Sequence, residues 1–408
     1  MSGNGAPKRV LYVEANTDGT IGGSHTCLLE LIRGLDRSRF EPLVLFYEDN
    51  ALVDAFQEAA SEVVIFHKPR VFRLPSLKRA AREGSLMGQL SWPLLLGKKG
   101  YNLASQLLVP TAGLARIMKE RRVDLVHLNN AVVHPPEAAM AARLLGLPCL
   151  VHQRAVCEGL GPRTKRLAEG LKAVACVSRH VMESLVENGV EAAKCHLVYD
   201  GCDTEALAAR VTRPAAEVRR EFGLSNGQPM LLLVGNVKEW KGQRTAVEAA
   251  VLLRERYPDL KLLLVGGVSD EAYAGSLRER IAEAGLERNI IWCGYRHDVP
   301  ELMSAADIVL HTSIEPEPFG ITILEAAASS KPIVATEIGG PLETVQDGVT
   351  GLLVPPAEPQ LLAEAIRTLL AQPALAAGFG AAARERLERL FSLKAHIGQV
   401  EQLYSACL

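Results

Sequence analysis

ADIVLHTSIEPEPFGITILEAAASSKPIVATE, residues 306–337, reads as strand, loop, helix and strand. The apolar run ADIVLHT gives way to polar residues. Pro318, Phe319 and Gly320 break regular structure, the period turns helical from Ile321 through Glu325, and KPIVATE opens a second apolar run. Two apolar strands joined by a crossover helix form a parallel unit, covered on both faces. Working outward, the same alternation appears as PMLLLVGN from Pro229, LKLLLVGG from Leu260 and NIIWCGY from Asn289. It also fills the first half, with RVLYVEA from Arg9, EPLVLFY from Glu41, EVVIFH from Glu62, VDLVHL from Val123, PCLVH from Pro148 and AVACVS from Ala173. The expected fold is α/β, two Rossmann-like doubly wound halves.

Residues 199–227 carry Gly201, Pro214, Gly223 and Gly227, a composition suited to a hinge. A boundary near Ala208 gives a first domain of residues 1–207 and a second of 208–387. The final stretch, about 388–408, is helical by period and longer than the second sheet requires, so it is expected to pack back on the first domain.

Composition narrows the function classes. The 408 residues hold 45 Lys and Arg against 47 Asp and Glu, and 48% are hydrophobic, enough for two or three packed domains. A formal net charge of −2 gives no bulk attraction to nucleic acid, and the charged content excludes a disordered tail protein. Eight cysteines lie scattered with no CxxC pair and read as reduced core residues. The N-terminal stretch has no apolar signal core and no apolar run reaches the ~18 residues of a spanning helix, so a cytosolic location is expected. One segment departs from the rest. Residues 68–99 hold eight basic residues (Lys68, Arg70, Arg73, Lys78, Arg79, Arg82, Lys98, Lys99) and one acid, Glu83, interleaved with Phe72, Leu90, Trp92 and other apolar residues. That mixture suits the surface of an anionic membrane, with a solvated insertion as the structural alternative.

In a doubly wound sheet, ligands bind beyond the carboxyl ends of the strands. The loop after the first strand carries Gly19, Gly22 and Gly23 and runs into a helix, where backbone N–H groups can meet a phosphate or sugar; it is not a GxGxxG, and a structural turn explains it as well. His152 ends PCLVH, followed by Gln153 and Arg154, placed to bond a sugar hydroxyl or to be satisfied by backbone carbonyls. Lys241 and Gly242 follow PMLLLVGN at a helix entry, a point charge suited to a phosphate. The strongest signal is the opening stretch. The N–H groups of Phe319, Gly320 and Ile321 point out of a helix start, Glu317 can accept from vicinal hydroxyls, and Glu325, one turn in, can hold a ribose diol. Positive helix start plus carboxylates describes a nucleotide sugar; the bland alternative makes Glu317 a cap and Glu325 a surface charge.

At EPFGITILE (Glu317 to Glu325), GGPLE from Gly339, DGVTGLLV from Asp347, the KG at Lys241, the GG at Gly22 and the DG at Asp200, the chain closely resembles the family 4 glycosyltransferases of the GT-B fold. The resemblance covers essentially the whole chain and implies two domains facing across a cleft that closes, retaining transfer, a nucleotide-sugar donor and no required metal or other cofactor. It implies that Gly23 offers its backbone to the diphosphate, that His152 contacts the sugar, and that Lys241 holds phosphate. Glu317 would bind sugar hydroxyls and Glu325 the ribose. Where many members carry Arg after the glycine of PMLLLVG, this chain has Asn236, so Arg244 or Arg154 is the expected substitute. Tyr295 and Arg296 are the residues placed to meet the nucleobase, UDP or GDP at family level. For the acceptor, the basic and apolar residues 68–99 motivate a glycan, a lipid-linked glycan or a lipid at the inner membrane face, with peripheral attachment there, and soluble acceptors remain open. A nucleotide-sugar epimerase, a glycoside phosphorylase and a silent nucleotide-sugar binder share such donor residues and remain the alternatives.

Overall fold

The computed structural model describes residues 6–15, 22–69, 101–132, 134–225 and 227–408. The chain divides into two compact units. The first takes the described residues up to Cys176, Ser184–His196 and Gln399–Leu408; the second takes Val177–Glu183 and Leu197–Gly398.

The first unit holds a seven-stranded sheet of β1 (Lys8–Glu14), β2 (Phe40–Phe46), β3 (Glu62–Ile65), β4 (Leu125–Asn130), β5 (Cys149–Gln153), β6 (Ala173–Cys176) and β7 (Cys195–Leu197), in the order β3-β2-β1-β4-β5-β6-β7. β1 pairs in parallel with both β2 and β4, so the winding reverses between β1 and β4. The chain's end belongs to this unit. Tyr404 is fully buried, its hydroxyl 2.6 Å from His127 Nδ1 and donating to the Tyr12 hydroxyl at 2.8 Å, with its ring edge-on to Phe40. Glu401 accepts from the Asp36 N–H at 2.8 Å and pairs with Arg39 at 2.9 Å.

The second unit holds β8 (Met230–Val234), β9 (Lys261–Val265), β10 (Ile290–Gly294), β11 (Ile308–His311), β12 (Ile333–Thr336) and β13 (Leu352–Val354), in the order β10-β9-β8-β11-β12-β13. Every registered pair is parallel. The unbroken apolar runs have a simple cause. Leu231, Leu233, Leu262, Leu264, Ile308 and Leu310 point into a core shared with the helices Gln243–Leu253 and Pro359–Ala371. The intervening Met230, Leu232, Leu263, Val265 and Val309 point into a second core shared with the helices Val299–Ala305 and Ile321–Ala328. A strand buried on both faces cannot alternate with polar residues. Here the winding reverses between β8 and β11, which places the loops after those two strands where a doubly wound fold binds its ligand.

No helix among the described residues is long and apolar enough to cross a membrane. The basic segment lies outside the described residues from Arg70 to Lys99. Lys68, at its near end, is already engaged: its ammonium pairs with Glu137 and sits 4.3 Å from the centre of the Tyr47 ring.

Candidate active site

The loops after β8 and β11 bring Lys241 and Glu317 together. Lys241 Nζ donates to Glu317 Oε2 at 2.5 Å, with 20% and 13% of the two side chains exposed. Ser313 Oγ donates to the same oxygen at 3.1 Å, and His311 Nε2, at the end of β11, lies 3.5 Å from it. No contact among the described residues reaches Oε1. Burial alone would raise the Glu317 pKa, but His311 and Lys241 outweigh it and hold the carboxyl down at about 2. Glu317 is therefore ionised throughout the neutral range.

Backbone geometry fixes these loops. Gly242 has φ +65°, and a Cβ there would sit 1.9 Å from the Thr312 carbonyl oxygen, so only glycine lets the loop after β8 close on the end of β11. The Gly340 N–H donates to the Glu317 carbonyl at 2.7 Å, and a Cβ at Gly340 would fall 2.4 Å from Phe319 Cα. The loop after β12 thus forms the floor beneath Glu317. Gly340→Ala is expected to destabilise the protein by at least about 2 kcal/mol through overpacking, read as a lower urea midpoint; an unchanged midpoint would show that the floor yields freely.

Phe319 is 3% exposed, its ring stacked 5.8 Å from Tyr199 and edge-on to Phe391. The ring belongs to the core, so Phe319, Gly320 and Ile321 have peptide groups to offer a ligand at the start of the helix Ile321–Ala328. Glu325 lies within that helix. Glu325 is partly buried and lines a small crevice with Leu207, Val299, Pro300, Met303 and Ser329. Burial pushes its pKa up to about 7, offset in part by Arg210.

The remaining expected donor residues have the following surroundings. Asn236 Oδ1 accepts from the Gly267 N–H at 3.3 Å and its carbonyl accepts from Gln243 Nε2 at 3.0 Å, tying the loop after β8 to the loop after β9. The Arg244 guanidinium is 52% exposed and lies 4.0 Å from Glu248. Arg296 donates to both oxygens of Asp298 at 2.7 and 2.6 Å and pairs with Glu221 at 2.9 Å, in a network that also includes Arg213. Its neighbour Tyr295 is 69% exposed. Arg296 is thus held as a structural cation, and the exposed ring is Tyr295.

In the first unit, Gly22 precedes the helix Gly23–Gly34, and its N–H donates to His25 Nδ1 at 3.3 Å. A Cβ at Gly22 or Gly23 would meet nothing within 4 Å. Packing among the described residues therefore does not demand glycine there. His152 is fully buried on β5, stacked 5.6 Å from His127, with Arg154 Nη2 3.4 Å from its Nδ1. Arg154 Nε donates to Asn129 Oδ1 at 3.0 Å, and Asn129 Nδ2 donates to Glu14 Oε2 at 2.6 Å. Glu14 is fully buried at the carboxyl end of β1 and also holds Asn130. This chain of Glu14, Asn129 and Arg154 at the winding reversal is missing from the sequence reading. Its signal was available: a carboxylate and two amides at the carboxyl ends of two mostly apolar strands. Beside it, a cavity of about 380 Å³ is lined by Val132, His134, Gln153, Cys157, Glu158 and Thr164, among others.

At the winding reversal of the second sheet, an ammonium and a mostly buried carboxylate stand beyond the strand ends, where a doubly wound fold binds its ligand. Sequence profiles agree: the one described as Glycosyltransferase Family 4 matches residues 21–206 and the one described as Glycosyl transferases group 1 matches residues 215–386. The chain belongs to the family 4 glycosyltransferases of the GT-B fold. It is similar to the D-inositol 3-phosphate glycosyltransferase of Corynebacterium urealyticum, 34% identical over 193 residues covering 45% of each chain. It is also similar to the alpha-maltose-1-phosphate synthase of Mycolicibacterium smegmatis, 32% identical over 57% of this chain and 62% of that one. The matches thus span roughly half to three-fifths of these relatives. Among solved structures, Anabaena HepE in complex with UDP-glucose superposes with a TM-score of 0.78 at 25% identity, covering 98% of this chain and 99% of that one.

Proposed function

We propose that the protein transfers a sugar from a UDP- or GDP-sugar to an acceptor hydroxyl, with retention at the anomeric carbon. The observation that carries this reading is the Lys241–Glu317 pair at the winding reversal of the second sheet. Breaking the anomeric C–O bond builds positive charge on the sugar and negative charge on the diphosphate, so preorganised positive groups near the phosphate supply most of the acceleration. Lys241 and the N–H groups of Phe319, Gly320 and Ile321 are those groups; Glu317 Oε1 accepts from sugar hydroxyls, and Glu325 from the ribose. Glu317 is engaged by Lys241 and Ser313 and is assigned to hydroxyl binding rather than to nucleophilic attack. That supports front-face transfer in which the leaving phosphate takes the acceptor's proton; an inverted product in an anomeric NMR assay would refute it. Within the first unit, the resemblance assigns the backbone at Gly22 and Gly23 to the diphosphate and His152 to the sugar. With the phosphate charge met by Lys241 and peptide groups, the transfer runs without a metal, and a chelator leaves the rate unchanged.

The acceptor class is a glycan or lipid-linked glycan at a membrane face, supported by the basic and apolar composition of residues 68–99. Neutralising Lys78, Arg79 and Arg82 is expected to weaken flotation with anionic vesicles and to flatten its salt dependence. Flotation indifferent to lipid charge would remove the membrane from the reading.

The experiment that tests the donor site is thermal unfolding against UDP-, GDP-, ADP- and dTDP-sugars, on wild type and Glu317→Ala. A ligand at 100 times its Kd adds about 2.7 kcal/mol. One nucleotide sugar is expected to stabilise wild type and to lose its sugar preference in the variant. No stabilisation by any of them would overturn the function.

A further inference from the structure

His311 is 6% exposed at the end of β11, and neither ring nitrogen has a hydrogen-bond partner among the described residues. An unmade buried hydrogen bond costs about 1–3 kcal/mol, so a site that leaves both nitrogens unpaired has a reason to do so. The nearest polar atom recorded against the ring is Glu317 Oε2, 3.5 Å from Nε2, just beyond a hydrogen bond. That oxygen is already taken by Lys241 and Ser313.

The arrangement changes when a diphosphate arrives. Lys241 then faces two anions, and the more strongly charged one draws it. A buried carboxylate that loses its cation is destabilised by about 3–5 kcal/mol, unless another positive group replaces it. His311 is the group in position, and an inward movement of under ~1 Å brings Nε2 to charge-assisted bonding distance. The elements around it offer no competing charge. The facing charged groups are Lys241, from the loop after β8, and Glu317 itself. β12 presents Ala335 opposite His311, the neighbouring Leu310 sits opposite Leu233 of β8, and the helix start presents Gly320, whose Cβ position is 3.7 Å from Nε2.

We propose that His311 takes up a proton from the surrounding buffer as the nucleotide diphosphate binds, replacing Lys241 as the counter-charge of Glu317. His311 is thus a positioning residue: it keeps Glu317 ionised and aimed at the sugar while Lys241 serves the phosphate. The inference rests on the reading of Lys241 as the phosphate ligand. Because the loaded site carries one more proton at His311 than the empty one, this linkage favours nucleotide binding at lower pH.

The test is calorimetric titration with UDP and, separately, GDP near pH 7, in two buffers of different ionisation heat, on wild type, His311→Asn and His311→Gln. The expected result is a nucleotide that binds all three proteins, with an excess of proton uptake in wild type that both variants lose. Imidazole NMR on wild type supplies a reading independent of any variant: the His311 ring nitrogens move to the doubly protonated pattern on saturation. Equal proton uptake in the three proteins, or a ring that stays neutral in the complex, overturns the proposal while leaving the nucleotide site standing. Binding of neither nucleotide to wild type overturns the site reading and the proposal with it.

Discussion

Lys241→Ala is expected to lower kcat by roughly 10²–10³ with little change in KM, because in the proposed reading its contact with the leaving phosphate strengthens as charge develops. The same substitution also costs stability. It strands Glu317, a carboxylate only 13% exposed, without its 2.5 Å partner, a loss of about 3–5 kcal/mol for a broken buried pair. The two effects separate in the double variant Lys241→Ala/Glu317→Gln, which regains most of the stability and none of the activity. Steady-state kinetics with urea unfolding of the single and double variants checks both. An unchanged kcat in the single variant would remove Lys241 from the phosphate, and a double variant as unstable as the single one would show that the stranded carboxylate is not the cause.

Glu325→Gln raises stability above neutral pH by roughly 2–3 kcal/mol relative to wild type, and the gain fades as pH falls toward the ordinary glutamate range. The sign follows from the carboxyl's surroundings. Burial lifts its pKa to about 7, so the proton is held more tightly in the folded protein than in the unfolded chain. The stability this carries is complete below about pH 4.5 and is lost as pH rises through 7. Glu317 behaves oppositely. Its pKa of about 2 carries stability that is complete above the ordinary glutamate range and is lost as pH falls toward 2. Urea unfolding of wild type and Glu325→Gln between about pH 5 and 8 tests the first slope, and parallel curves would sink it. A carboxylate kept where it weakens the fold is expected to serve a ligand. In the proposed reading that ligand is the ribose, so nucleotide affinity in Glu325→Gln should fall most at the alkaline end.

Much of the fold was legible because the parallel strands are covered on both faces. Runs such as MLLLV at Met230 and KLLLV at Lys261 feed two cores at once and leave an apolar signature with no polar gaps. The strands that escaped, β7 at Cys195–Leu197 and β13 at Leu352–Val354, are three-residue edges with no such run. In the site, Lys241 and Glu317 were legible from their places after strands, and the structure joins them directly. The ion pairs of Arg296 were not legible: a guanidinium after a strand looks free in sequence, whereas Asp298 and Glu221 pair with it in space. Asn236 had looked like a missing phosphate ligand and instead ties two loops through Gly267 and Gln243. His311 and the Glu14 and Asn129 partners of Arg154 were not singled out, because strand-end polar residues declare a role only once the strands beside them are known.

The interlock of the loops after β11 and β12 bears on how such proteins can be recombined. Glu317 and Gly339 meet backbone to backbone, and Gly340 closes on Phe319 without room for one added carbon. The two motifs behave as a matched casting, although 19 to 22 residues of helix and strand separate them in sequence. Chimeras that exchange donor loops between relatives should therefore carry both segments from one parent. A crossover placed inside the helix Ile321–Ala328 would join halves made for different moulds, and sugar specificity would be lost together with the fold of the loop.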